Sequence, residues 1–123
     1  MSDKHKLMIV DDEVGYSQLM VDYFKYHGYD VAAANNLEDA LNMFKRERPR
    51  VVLLDFNMPI MTGEKFLPLF QGIDPTVRVI VISGVIEEEV EEKFKGMGYF
   101  AFFRKGDLSL EKVKQKVAEA LGY

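Results

Sequence analysis

The chain has 123 residues, a formal charge of −4 at pH 7, no cysteine and 48% apolar residues. That length suits one domain over 1–123, with enough apolar content for a core and no room for a second domain. The acidic balance argues against nonspecific nucleic-acid binding, and the lack of cysteine removes disulfides and thiolate metal sites.

Met1 to Lys6 is polar, and only the run L-M-I-V, Leu7 to Val10, precedes Asp11. Four apolar residues are too few for a signal peptide or a membrane span, so a cytoplasmic protein without membrane insertion is expected. Leu7–Val10 reads as a first strand that ends on Asp11, Asp12 and Glu13. Val14 to His27 reads as a helix, because Tyr16, Leu19, Met20, Tyr23, Phe24 and His27 recur at helical spacing. Gly28 suits the position just past its end. His27 is then a polar residue at a helix terminus rather than a ligand, and His5 in the tail has no role. Tyr29 to Ala34 is a short second strand.

Asn36 caps a second helix, with Asp39 three residues on favouring the N-terminal dipole. Leu37, Ala40, Leu41 and Phe44 form its buried stripe, and Lys45, Arg46 and Arg48 close it before Pro49. This basic cluster reads as a solvated helix end, since the aromatic interleaving of a nucleic-acid face is missing. The next stretch, V-V-L-L-D-F-N-M-P-I-M-T-G from Val51 to Gly63, is the centre of the chain. A short continuous run of Val and Leu marks a strand buried on both faces, as in a parallel sheet covered by helices. It ends on Asp55, at the carboxyl edge where open α/β sheets place their ligand sites. Pro59 and Gly63 shape the loop that follows. A third helix begins near Gly63 or Glu64 and is expected to be short or bent, because Pro68 falls inside it. Asp74-Pro75 marks a turn.

Val77 to Ile82 is a fourth strand ending on Ser83-Gly84, and Phe100 to Arg104 a fifth ending on Lys105. Between them Glu87 to Lys95 has only Val90 and Phe94 as apolar members. Its acidic run fits a solvated face, and its thin apolar stripe also fits a helix able to shift. Asp107 or Ser109 caps the last helix, whose stripe is Leu110, Val113, Val117, Ala118 and Leu121. Strands and helices alternate through the chain without hairpin signals, which gives a doubly wound, five-stranded parallel sheet with five helices. In the flavodoxin-like order 2-1-3-4-5, strands one and three are neighbours about 4.8 Å apart. Asp11, Asp12 and Asp55 would therefore crowd together, with Ser83 and Lys105 beside them. Three carboxylates in one crevice repel, and a hard divalent cation with oxygen ligands, Mg²⁺ or Mn²⁺, relieves the repulsion.

The set D-D-E after strand one, D-F-N-M-P-I-M-T-G after strand three, S-G after strand four and K after strand five resembles the receiver domain of two-component response regulators, the family of the chemotaxis protein CheY. The resemblance covers essentially the whole chain. It implies that Asp11 and Asp12 bind Mg²⁺ together with Asp55 and the backbone carbonyl of Asn57. It implies that Asp55 accepts a phosphoryl group from a histidine kinase or phosphotransfer protein, with Ser83 and Lys105 contacting the phosphate. A carboxylate can form such an acyl phosphate, and the transfer needs positioning and charge neutralisation above all.

Phe102 would be an aromatic switch that follows Ser83, or else a plain core residue. The less favoured alternative for Ser83 is a capping hydroxyl alone, and Lys105 can be an ion-pair partner of the acidic cluster as well as a phosphate contact. A downstream protein would dock on the fourth helix, strand five and the last helix, and a phosphorylation-dependent dimer is compatible with the family. Val85, two residues after Ser83, is expected to overhang the site and slow hydrolysis. One departure from the family pattern is Gly106, where most receivers have Pro after the Lys, often behind a cis bond. A Mg²⁺-dependent phosphatase of the haloacid-dehalogenase type would need an acid two residues after Asp55, and Asn57 cannot serve. The chain is therefore expected to be a switch rather than an enzyme. A receiver that binds partners without phosphorylation is disfavoured because all five key side-chain types are present. A flavodoxin is disfavoured because no phosphate-cradling loop follows strand one.

Overall fold

The computed structural model describes residues 6–56, 63–84, 87–94 and 96–123. In chain order the elements are β1 (Lys6–Val10), α1 (Val14–Tyr26), β2 (Asp30–Ala34), α2 (Leu37–Glu47), β3 (Val51–Asp55), α3 (Gly63–Ile73), β4 (Arg78–Ser83), α4 (Glu87–Phe94), β5 (Ala101–Arg104) and α5 (Leu110–Ala120). All five strands pair in parallel in the order β2-β1-β3-β4-β5, the expected doubly wound sheet.

Alternate residues of the central strands face opposite layers, as a pleat of period two requires. Met8, Val10, Val52, Leu54, Val79 and Val81 face one side, where Phe44 of α2, Phe66 and Phe70 of α3, and Phe94 of α4 cover them. Leu7, Ile9, Val51, Leu53, Ile80 and Ile82 face the other, under Met20, Val21 and Phe24 of α1 and Val113, Val117 and Leu121 of α5. Each large side chain buried this way contributes about 1.5–3 kcal/mol against solvent exposure.

Helix ends follow the expected chemistry. Gly28 takes the left-handed conformation at φ 89° just past α1, and the His27 ring lies against Tyr23 and Tyr26. Asn36 Oδ1 accepts from Asp39 N–H at 2.9 Å, and its Nδ2 donates to Asp39 Oδ2. Ser109 rather than Asp107 caps α5, since Asp107 falls in a 3-10 turn, Lys105–Asp107. The basic end of α2 has a structural use as well. Arg48 ends the helix at φ 49°, a conformation costing a side-chain-bearing residue roughly 1–2 kcal/mol. Hydrogen bonds from Arg48 to the Lys45 and Ile73 carbonyls offset that cost.

Three details differ from the sequence expectation. Leu19 is 56% exposed, because the buried stripe of α1 runs through Ser17, Met20, Val21 and Phe24 and Leu19 falls off its edge. Helix α3 runs on through Pro68 for 11 residues. Pro68 lies on the solvent side, where water can satisfy the carbonyl its ring leaves unpaired, while Phe66, Leu67 and Phe70 keep the inner face closed. Strand β5 starts at Ala101, and Phe100, partly exposed, only donates its N–H to the Val79 carbonyl. The side chain of Val90 lies outside those described.

Candidate functional site

The parallel register delivers four strand ends to one edge of the sheet. Val10 pairs with Leu54, Asp55 with Ile82 and Ser83 with Arg104. Asp11 and Lys105, the next residues of β1 and β5, therefore leave the sheet beside Asp55 and Ser83. Asp11 N–H donates to the Ala34 carbonyl at 3.1 Å, which fixes the start of the acidic loop to the end of β2. Phe56 N–H donates to the Ile82 carbonyl at 2.9 Å and fixes the chain just past Asp55.

Asp11 is 1% exposed, Asp55 3% and Ser83 0%, while Asp12 faces solvent. One carboxylate oxygen each from Asp11, Asp12 and Asp55 lies within 4.8 Å of the other two. Lys105 Nζ stands over them, 3.4 Å from Asp11 Oδ2 and 3.6 Å from Asp55 Oδ2. The structure thus brings Asp11, Asp12, Asp55 and Lys105 into one cluster, and strand register puts Ser83 at the end of β4, next to the strand that ends on Asp55. Asn57 and Val85 lie outside the described residues. Phe102 is half-buried beside Val81 on the α2–α4 side of the sheet, packed against the core. No described peptide bond is cis, so Lys105 reaches the cluster through a trans bond to Gly106.

Two further contacts were not anticipated. Lys105 Nζ ion-pairs with Glu13 Oε1, and it sits 4.9 Å from the centre of the Tyr16 ring. Glu13 N–H also donates to Asp11 Oδ1 at 2.9 Å and holds that carboxylate in place. The sequence signal for Glu13 was its place in the D-D-E run, and for Tyr16 its position one helical turn later. Nothing local marks Lys105 as the partner of either.

The electrostatics follow from burial. Desolvation pushes the Asp11 carboxyl above its ordinary value, against the lowering effect of the Glu13 N–H and of Lys105. Burial alone would lower the Lys105 ammonium, but the Glu13 hydrogen bond and the charges of Asp55 and Asp11 outweigh it and raise the group above its ordinary value. Tyr16 is raised chiefly by burial.

The donor set fits a hard divalent cation. It consists of oxygens only, which suits Mg²⁺ better than a soft metal. Asp11 Oδ2 is also buried without a hydrogen bond and faces the Lys105 ammonium at 3.4 Å, so it has lone-pair capacity left for a bound cation. Asp11, Asp12 and Asp55 would hold it. What remains is a buried carboxylate, Asp55, with an ammonium beside it and a fully buried hydroxyl on the next strand, Ser83.

Comparison with known proteins agrees with this geometry. A family model described as the response regulator receiver domain matches residues 7–118. Sporulation initiation phosphotransferase F of Bacillus subtilis (strain 168) is 32% identical over 116 residues, spanning 94% of this chain and 93% of that protein. A response regulator receiver domain protein from Clostridium thermocellum has the same fold, with a TM-score of 0.86 at 23% identity over 94% of this chain and 93% of that one. The solution structure of the beryllofluoride-activated NtrC4 receiver domain dimer matches with a TM-score of 0.86 at 26% identity, covering 95% of this chain and 96% of that one.

Proposed function

The chain belongs to the response regulator receiver domain family, and we propose that it accepts a phosphoryl group on Asp55 from a histidine kinase or phosphotransfer protein, in a Mg²⁺-dependent step. The observation that carries this reading is the setting of Asp55, buried at the carboxyl end of β3 with two carboxylates within 4.8 Å and Lys105 Nζ at 3.6 Å. An Asp55 oxygen attacks phosphorus, the bond from phosphorus to the donor's imidazole nitrogen breaks, and the imidazole leaves. Lys105 balances charge on the phosphoryl oxygens, and the Ser83 hydroxyl donates to one of them. Asp11, Asp12 and Asp55 would hold Mg²⁺, which when bound would supply charge neutralisation between the donor phosphate and these carboxylates.

The chemistry is confined to the protein itself, so it is a switch and not an enzyme on outside substrates. Its output surface is α4, β5 and α5, with phosphorylation-dependent dimerisation as one form of output. A cytoplasmic location belongs to the same reading, and no described helix is long and apolar enough to cross a membrane. Incubation with acetyl phosphate and Mg²⁺ should add one phosphoryl mass to the intact protein, and Asp55→Asn should abolish the gain. A mass gain that survives the substitution, or turnover of a generic aryl phosphate, would remove the reading.

A further inference from the structure

Glu13 makes an ion pair that the transfer above does not use. Its carboxylate pairs with the Lys105 ammonium, which also pairs with Asp11 and Asp55. Glu13 is the N-cap residue of α1, yet its side chain caps nothing and turns to the lysine instead. Tyr16, three residues on, lies on the same side of the first helical turn, and its ring sits against the same ammonium. Lys105 therefore stands between two holders. Asp11 and Asp55 draw it into the site, and the first turn of α1 draws it out.

We propose that Glu13 is a positioning residue that brakes phosphoryl acceptance by holding Lys105 on the α1 side. The proposal rests on the phosphoacceptor reading and concerns the rate of that step. With acetyl phosphate, an Asp55 oxygen bonds to phosphorus, the bond from phosphorus to the bridging oxygen breaks, and acetate leaves with the electron pair. Lys105 transfers no proton; it must meet the phosphoryl oxygens as they gain charge, and to do so it must give up Glu13. Without the Glu13 carboxylate, Tyr16 still holds the ammonium near the site, so the lysine is released without being lost.

Phosphorylation is followed by intact mass at saturating Mg²⁺ with two donors, acetyl phosphate and the less negatively charged phosphoramidate. Glu13→Gln should accelerate both about two- to fivefold, the range set by a partly exposed ion pair. Glu13→Asp, which keeps the charge, should stay near the wild-type rate, and added salt should narrow the gap between wild type and Glu13→Gln. A rate that Glu13→Gln leaves unchanged or lowers overturns the brake. So does a Glu13→Asp protein as fast as Glu13→Gln. Acceleration with acetyl phosphate alone would show repulsion of the donor and overturn the hold on Lys105. A wild type that takes no phosphoryl group from either donor fails one step earlier and overturns the phosphoacceptor reading itself.

Discussion

Lys105→Met tests the physical basis of the site most directly. Methionine keeps a long apolar stem against Tyr16 and removes the charge. In the wild type Nζ lies 3.4 Å from one buried carboxylate and 3.6 Å from another. At an effective dielectric near 20, each contact is roughly 5 kcal/mol of gross attraction. Most of this is cancelled by the desolvation of the ammonium, which is only 17% exposed. Removing one partner of a buried ion pair costs about 3–5 kcal/mol, because it leaves the other charge uncompensated. Asp12 and Glu13 open this site to water, so the cost falls to the lower end of that range or somewhat below it. We expect Lys105→Met to lose about 2–4 kcal/mol in EDTA, measured by urea unfolding. Mg²⁺ supplies the missing counter-charge and adds RT ln(1 + [L]/Kd), about 2.7 kcal/mol at a hundredfold excess over Kd. It should bind the variant at least as tightly as the wild type, and the difference in stability should shrink when it is added. If Lys105→Met unfolds within about 0.5 kcal/mol of wild type in EDTA, a change ordinary for a surface substitution, the acidic residues are not held together by this ammonium.

Asp11→Asn should have the opposite sign, stabilising the metal-free protein while losing most of the Mg²⁺-induced gain in melting temperature. Its carboxyl is raised by burial, so the advantage should be full above that raised value and vanish below the ordinary 3.8, where wild-type Asp11 is neutral in both folded and unfolded chains. Asp74 behaves in the reverse way, its carboxyl lowered by the side-chain and backbone hydrogen bonds of Thr76. Asp74→Ala should cost about 1 kcal/mol at neutral pH, a difference present above 3.8 that fades as pH falls through the lower folded value, as read from denaturant midpoints across pH. Phosphorylation should shift backbone amide resonances of α4 and β5 more than those of α2, and equal shifts in both would count against the assigned output surface.

Much of the fold is visible in the chain because the chemistry of a buried run changes at a single residue. Leu54 to Asp55 and Val10 to Asp11 each pass from a fully buried aliphatic to a carboxylate in one step. A parallel sheet turns those local breaks into a shared edge. What stays hidden depends on contacts between distant segments. Glu13 and Lys105 are separated by 92 positions, and no periodicity relates them. Leu19 was placed on the buried stripe because neighbouring apolar residues, Leu19 and Met20, compete for one face, and only the packed sheet decides between them. Pro68 points to a short or bent helix because its lost N–H is a local feature, whereas the exposure that makes the loss tolerable is set by the tertiary fold.

The two layers of the molecule give a change at Asp55 different routes outward. On the α2–α4 side, Phe56 follows Asp55 directly, its ring centre lies 5.8 Å from that of Phe94 in α4, and Phe94 lies 5.6 Å from Tyr99 before β5. Rings at such spacings interlock rather than slide freely, so displacement of the β3 end presses first on α4 and then on the approach to β5. Phe94 is the only apolar side chain of α4 that the structure describes, and it is fully buried. Phe94 links α4 to that row of rings, so a displaced ring carries the displacement into the helix, as a two-state output needs. On the other side, the link from the site runs through Lys105 to Glu13 and Tyr16 at the start of α1. That helix is anchored by Met20, Val21 and Phe24 in the second core. In the proposed switch, movement of Lys105 away from Glu13 would alter an exposed charge there while those three residues keep the helix in place. Under the proposed function, a ring-driven shift on one layer and a change of charge on the other would let one phosphoryl group alter shape at the proposed output surface and electrostatics beside the acceptor site.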